Sequence, residues 1–74
     1  MSVVHELDNR GLGPPEPMVR ILRVLGTMED GDALRALMDR EPRMLYPELE
    51  RRGFAWEFSG DDGEFVLTVR HAAK

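Results

Sequence analysis

The fold is decided by the stretch LDNRGLGPPEP, residues 7–17, which leads from the end of a strand into the start of a helix. Gly11 and Gly13 permit backbone angles that other residues avoid, so residues 9–13 are predicted to form a loop with a tight turn. Pro15 and Pro17 suit the first turn of a helix, where the helical ladder needs no backbone N–H. This stretch therefore predicts a strand, a short loop and a proline-primed helix.

The flanking residues extend this into a βαβ unit. Residues 3–8 are rich in β-branched side chains and predict a strand. One face of this strand carries Val3, His5 and Leu7. The helix has an apolar stripe at the spacing i, i+3, i+4 and i+7, formed by Met18, Ile21, Leu22 and Leu25. Residues 33–38 alternate and predict a second strand, with Leu34, Ala36 and Met38 on one face. We expect the two strands to be parallel, with a right-handed crossover.

The second half of the chain predicts a short helix and a β-hairpin. The helix, residues 46–52, has Pro47 in its first turn, buries Leu45 and Leu49, and stops at Gly53. Residues 54–58 predict a third strand, residues 60–63 a hairpin turn, and residues 65–70 a fourth strand. The third strand places its aromatic side chains on one face: Phe54, Trp56 and Phe58. We interpret Trp56 as a core residue; the alternative is an aromatic binding platform.

The complete order, βαβαββ, predicts an α/β (α+β) two-layer sandwich in which a four-stranded mixed sheet carries both helices on one face. Because 74 residues suffice for one small core, residues 1–74 are expected to form a single domain. Because both faces of the fourth strand carry apolar groups, the other face of the sheet is then either partly hydrophobic or covered by something.

Composition excludes several classes of function. The chain has no cysteine, which removes disulfides, thiolate metal sites and thiol redox chemistry. Its net charge of −4, from 14 acidic and 10 basic residues, argues against a nucleic-acid-binding protein. Its apolar stretches are too short to cross a bilayer and nothing resembles a signal peptide, so we expect a cytoplasmic protein without a membrane partner. No catalytic triad, phosphate loop or nucleophile elbow is present, so we predict no enzymatic activity and no cofactor.

Three segments resemble a known protein family. Residues 7–17 are similar to the signature loop of the SirA/TusA-like sulfur carriers, roughly Leu-Asp-x-x-Gly-Leu-x-Cys-Pro-x-Pro, whose fold is also βαβαββ. Pro14 stands in the cysteine position, so a sulfur-transferring activity of the usual form is excluded. Within that superfamily the chain is similar to a cysteine-less bacterial branch of unknown function, whose members occur alone or beside hemerythrin-like and cupin domains. The matching residues are Arg10, Pro14, Pro15, Pro17 and Met18, then Asp39, Pro42, Leu45 and Tyr46, then Gly53, Phe54 and Trp56.

The predicted binding surface is a rim formed where the loops after the first two strands meet, because ligands of α/β sheets bind at the carboxyl ends of parallel strands. Its residues are Asp8, Arg10, Pro14, Asp39, Arg40, Arg43 and Tyr46. Arg10 and Arg43 suit a carboxylate or oxyanion, whereas the aspartates suit a cation or pair with the arginines. The alternative is an ordinary cluster of surface ion pairs. For Pro14, the alternatives are a stiffened turn or a proline wall for recognition.

These observations favour a non-catalytic binding or protein-interaction module. Its partner would be a protein or a small anionic ligand, and the chain itself a monomer or weak dimer. Two alternatives stay open: an accessory docking protein in sulfur relay, or a metal- or haem-linked sensor in respiratory or nitrogen-oxide metabolism. His5 and His71 lack the spacing of a metal site, so no metal ligand is predicted and His5 is interpreted as a structural residue of the first strand.

Overall fold

The four strands form one mixed sheet in a computed structural model that describes residues 2–61 and 64–72. The elements are β1 (Val4–Asp8), α1 (Glu16–Leu25), β2 (Ala33–Met38), a 3-10 helix (Arg43–Leu45), α2 (Tyr46–Arg51), β3 (Phe54–Asp61) and β4 (Glu64–His71). Their order in the sheet is β1-β2-β4-β3. β1 and β2 are parallel, and β4 is antiparallel to both of its neighbours. The predicted βαβαββ sandwich is confirmed.

The core lies between the helices and one face of the sheet. The apolar stripe of α1 buries Ile21 and Leu25, and Leu49 of α2 is fully buried. The sheet residues that they cover alternate along the strands, as the sequence pattern predicted: Leu34, Ala36, Met38, Leu67 and Val69. The strand registers align Leu7, Ala36, Leu67 and Phe58 in one row across the sheet. Both helices therefore share one face, and the strands' period of two decides which side chains they cover.

The opposite face of the sheet carries a polar row. The same registers align Glu6, Arg35, Thr68 and Glu57 across its middle. Arg35 lies 3.7 Å from a carboxylate oxygen of Glu6, and Arg70 lies 3.8 Å from one of Glu57. Mixed charges of this kind suit a face in contact with water. Leu37 and Val66 pair on the same face and are half-buried, so the face is also partly hydrophobic, as in the first of the two alternatives.

The hairpin is tighter than predicted. Gly60 and Asp61 belong to β3, and Asp61 pairs with Glu64, while the other two residues of the predicted turn, Asp62 and Gly63, lie outside the described residues. Gly60 lies opposite Phe65, whose ring occupies the space beside its Cα. Because a Cβ at position 60 would come within 2.5 Å of that ring, only glycine fits here without displacing it.

Two side chains interpreted as structural are confirmed in that role. Trp56 is half-buried against the core, and its ring stacks on Tyr46 with centroids 5.0 Å apart. The His5 Nε2 lies 3.2 Å from Asp32 Oδ2, and Asp32 also accepts hydrogen bonds from the backbone N–H groups of Val3 and Glu29. The buried Asp32 therefore ties the start of β1 to the turn before β2. In the described part of the chain, no helix has the length and apolarity that a membrane span needs.

Candidate functional site: a groove at the carboxyl ends of β1 and β2

The loops that follow β1 and β2 lie side by side, as predicted from their parallel pairing. The Asn9 N–H donates to the Leu37 carbonyl at 2.8 Å and extends the β1–β2 ladder by one residue. The Gly11 N–H then donates to Asp39 Oδ2 at 2.6 Å and joins the two loops. Gly11 has a φ of +78°, a left-handed conformation that favours glycine, and this turns its N–H toward the second loop.

A groove of about 430 Å³ separates the start of α1 from the loop after β2. Its walls are mostly apolar and comprise Leu12, Pro14, Pro15, Pro17, Met18, Met38, Pro42 and Met44. Its polar lining residues are Asn9, Asp39, Arg40, Glu41 and Arg43. Met44 stands on the lip with 87% of its surface exposed, which is unusual for a large apolar side chain. The groove therefore offers an apolar surface edged by charged groups.

The prolines both direct α1 and wall the groove. Pro15 occupies the N-cap position and Pro17 lies in the first turn, so the helix starts where the sequence predicted. The first turn offers few donors, since proline has no N–H and the Glu16 N–H is taken by the Gly13 carbonyl at 3.1 Å. The same rings, with Pro14, line the groove. The two alternatives for Pro14, a stiffened turn and a proline wall, are thus compatible in this fold.

Asn9 is a buried polar residue of the groove that the sequence did not assign to the rim. It is 1% exposed, and its Nδ2 donates to the Pro17 carbonyl at 3.1 Å and contacts Met38 Sδ at 3.7 Å. Its Oδ1 is shielded from solvent and accepts no hydrogen bond from the described residues. The sequence predicts Asn9 as the first residue of a loop, but the alternation of His5 and Leu7 continues to it and points its side chain inward.

The predicted rim divides into residues that line the groove and residues that do not. Four of its seven members line the groove: Pro14, Asp39, Arg40 and Arg43. Asp8 and Arg10 instead form a local ion pair on the surface, with the Arg10 Nε and Nη2 each 2.8 Å from an Asp8 carboxylate oxygen. Hydrogen bonds from the Arg10 side chain and backbone lower the pKa of Asp8 to about 2. This pair corresponds to the alternative of an ordinary surface ion pair.

Tyr46, also predicted for the rim, does not line the groove but bonds to the loop after β2. Its hydroxyl donates to Glu41 Oε2 at 3.0 Å, while Arg43 Nε donates to Glu41 Oε1 at 2.9 Å. Both bonds lower the pKa of Glu41, and the bond from Arg43 has the larger effect. Burial, followed by the bond to Glu41, raises the pKa of Tyr46 to about 12, so its hydroxyl stays protonated as a donor. Because its ring also stacks on Trp56, Tyr46 fixes the loop to β3.

Arg40 differs from the other charged groups of the groove. Asp39 accepts a hydrogen bond from the Gly11 N–H, and Glu41 and Arg43 form an ion pair. Arg40 is exposed and makes no ion pair or side-chain hydrogen bond with any residue in the ranges 2–61 and 64–72. Its donors are therefore uncommitted within the part of the chain that the structure describes.

A family model matches residues 6–71, from β1 to the end of β4, and its description is "Uncharacterized conserved protein (DUF2249)". The chain belongs to this family. Comparison with curated proteins found no match, and comparison with solved structures found none either. Because residues 6–71 include both loops and all of the groove, the site of this DUF2249 chain lies inside the region that defines its family.

The histidines of the DUF2249 chain lie away from the groove. His5 is engaged with Asp32, and the ring of His71 packs on Phe54 with centroids 4.8 Å apart. The Nε2 of His71 is buried and has no hydrogen-bond partner among the described residues. Within those residues, histidines and carboxylates form no group of three or more that could hold a metal ion.

Proposed function

We propose that this protein is a non-catalytic binding module that holds a small, largely apolar ligand in the groove between the Asn9–Gly13 loop and the loop after β2. The observation that carries the proposal is the groove itself. It lies at the carboxyl ends of two parallel strands, the place where α/β sheets bind ligands. Its volume of about 430 Å³ is in the range of small-molecule sites.

The chemistry of the walls supports binding rather than catalysis. The groove presents thioethers, proline rings and carboxylates that already accept hydrogen bonds, whereas covalent catalysis needs a nucleophile next to a base. Met18, Met38 and Met44 are flexible and polarisable, so they adapt to an apolar ligand. The likeness of residues 7–17 to a sulfur-carrier loop supports the same proposal, because Pro14 replaces the only residue that could carry sulfur there.

The size of the groove favours a small ligand over a protein partner. Stable protein interfaces bury about 1,200–2,000 Å² in total, and they need a broad surface around any central pocket. Asp8 and Arg10, the charged residues on either side of Asn9, do not line the groove and are already bonded to each other. A compact ligand, by contrast, contacts apolar walls on both sides.

The proposal is tested by mapping ligand-induced shifts of the backbone amides in ¹⁵N-labelled protein. The panel comprises apolar acids, alcohols and amines of matched length, together with short apolar peptides. We expect members of the panel to shift the amides of Leu12, Met18 and Arg40, and Met44→Glu to weaken their binding by placing a charge on the apolar lip. Val4→Glu is the matched control, since Val4 is also exposed but lies on β1 outside the groove. Absence of binding, or binding that maps only to the open sheet face, would contradict the proposal.

A further inference from the structure

We infer that the ligand of the groove is an apolar monocarboxylate whose carboxylate binds Arg40 and whose apolar body lies against the methionines. The inference rests on the proposed function and names the chemical class of its ligand. It follows from comparing the charged groups that line the groove. A group that already bonds to another residue of the protein is less available to a ligand than a group that has no partner.

Three of the four charged lining residues already bond to another residue of the protein. Asp39 Oδ2 accepts the Gly11 N–H at 2.6 Å, a bond that also holds the two loops together. Glu41 accepts from Tyr46 and from the Nε of Arg43, so Arg43 is partly neutralised by its ion pair with Glu41. An anionic ligand would therefore compete with Glu41 for Arg43.

Arg40 is the charged lining residue that the described part of the chain leaves without a partner. A guanidinium offers parallel N–H donors whose spacing matches the two oxygens of a carboxylate. The complementary ligand group is therefore an anion with two acceptor oxygens.

The rest of the groove limits the ligand to one charge. Beyond Arg40, the walls are mainly methionine and proline side chains, which gain from apolar contact and offer nothing to a second charge. A second anionic group would approach the carboxylates of Asp39 and Glu41. An ammonium group would face the like charge of Arg40, and the Asp39 carboxylate that lines the same groove already accepts the Gly11 N–H.

The test compares octanoate with 1-octanol and octylamine, which share its chain length and differ in the head group. Amide shifts and titration calorimetry are recorded for the parent protein, for Arg40→Gln and for Arg23→Gln. We expect octanoate to bind in the groove and Arg40→Gln to weaken its affinity by about tenfold or more, the effect of losing one charged hydrogen-bonding partner. Arg23→Gln is the matched control, because Arg23 is an exposed arginine on α1 that does not line the groove.

The outcomes separate this inference from the proposal on which it rests. Equal binding of 1-octanol or octylamine in the groove, or an octanoate affinity unchanged by Arg40→Gln, would overturn the carboxylate assignment and leave the groove as a binding site. Binding of an apolar peptide with a free carboxyl end, but not of octanoate, would overturn the small-ligand assignment. If no member of the whole panel shifts the groove amides, both the inference and the proposed function fail.

Discussion

We expect Asn9→Leu to make the protein more stable, although it removes a buried hydrogen bond. The Asn9 side chain is enclosed, donates to the Pro17 carbonyl at 3.1 Å, and leaves its Oδ1 shielded and without a partner among the described residues. Leucine branches at the same carbon and fills a similar space. The Pro17 carbonyl keeps an acceptor role in the helical ladder, so removing the amide leaves no new unsatisfied group.

The magnitude follows from two opposing terms at this position. Losing one neutral hydrogen bond costs about 1 kcal/mol, whereas removing a buried acceptor that has no partner returns about 1–3 kcal/mol. Burying two methyl groups in place of the amide atoms adds a further gain of about 1 kcal/mol. After some loss to imperfect repacking, we expect the free energy of unfolding to rise by about 1–2 kcal/mol. For a chain of this size, each kcal/mol raises Tm by about 4–8 °C.

Urea denaturation followed by far-ultraviolet circular dichroism measures this change, with thermal melting as a second reading. Asn9→Asp is the matched control, since it keeps the shape and places a carboxylate beside the Pro17 carbonyl. Burial raises the pKa of such a carboxyl group in the folded state, so its destabilisation is complete above that pKa and disappears below the unfolded value of about 3.9. If Asn9→Leu instead lowers the free energy of unfolding by more than about 1 kcal/mol, the Oδ1 has a partner and our reasoning is wrong.

Two further predictions concern the fold, and they accompany the Met44→Glu and Arg40→Gln tests described above. Asp32→Asn is expected to destabilise the protein, because the bonds from Glu29, His5 and Val3 lower the pKa of Asp32 and an amide cannot accept all three. Since the folded pKa lies below the unfolded one, the stability that the carboxylate contributes is present above about pH 4 and is lost as the pH falls through the folded pKa. A difference in urea midpoint between parent and variant that stays constant across an acid pH series would contradict this. Gly60→Ala is expected to cost about 1–3 kcal/mol, because its Cβ would displace the Phe65 ring. Gly13→Ala, where a Cβ meets no atom within 4 Å, is its control, and equal melting temperatures for the two variants would refute the clash.

The fold was predictable because its local signals agree with one another. The alternation of Leu34, Ala36 and Met38 and the helical stripe that contains Ile21 and Leu25 each mark one buried face, and both faces are buried as expected. The parallel pairing of β1 and β2 then brings the two loops together, so the location of the groove followed from topology. These features depend on periodicity and chain order, which are properties of the sequence alone.

The bonding inside the site was not predictable to the same degree. Asp8 and Arg10 are two residues apart and satisfy each other on the surface, a choice that depends on side-chain rotamers in a particular turn. Tyr46 turns toward Glu41 and Trp56 because β3 passes behind α2, a tertiary contact that no local pattern encodes. Asn9 is buried because its N–H extends the β1–β2 hydrogen-bond ladder one residue beyond Asp8. Which arginine stays uncommitted is likewise decided only by the packed structure.

The groove and the β3–β4 hairpin are formed by different segments of the chain. Every residue that lines the groove falls between positions 9 and 44, whereas β3 and β4 supply the other half of the sheet and part of the core. Tyr46, which stacks on Trp56, links the start of α2 to β3. We therefore expect substitutions in the hairpin to act through folding, whereas substitutions in residues 9–44 can act on the groove or on folding, because that segment also contains core residues such as Ile21 and Leu34. In a sequence without cysteine, a thiol introduced at Glu57 on the polar face of β3 would be its one site for a thiol-reactive label, on the far side of the sheet from the helices.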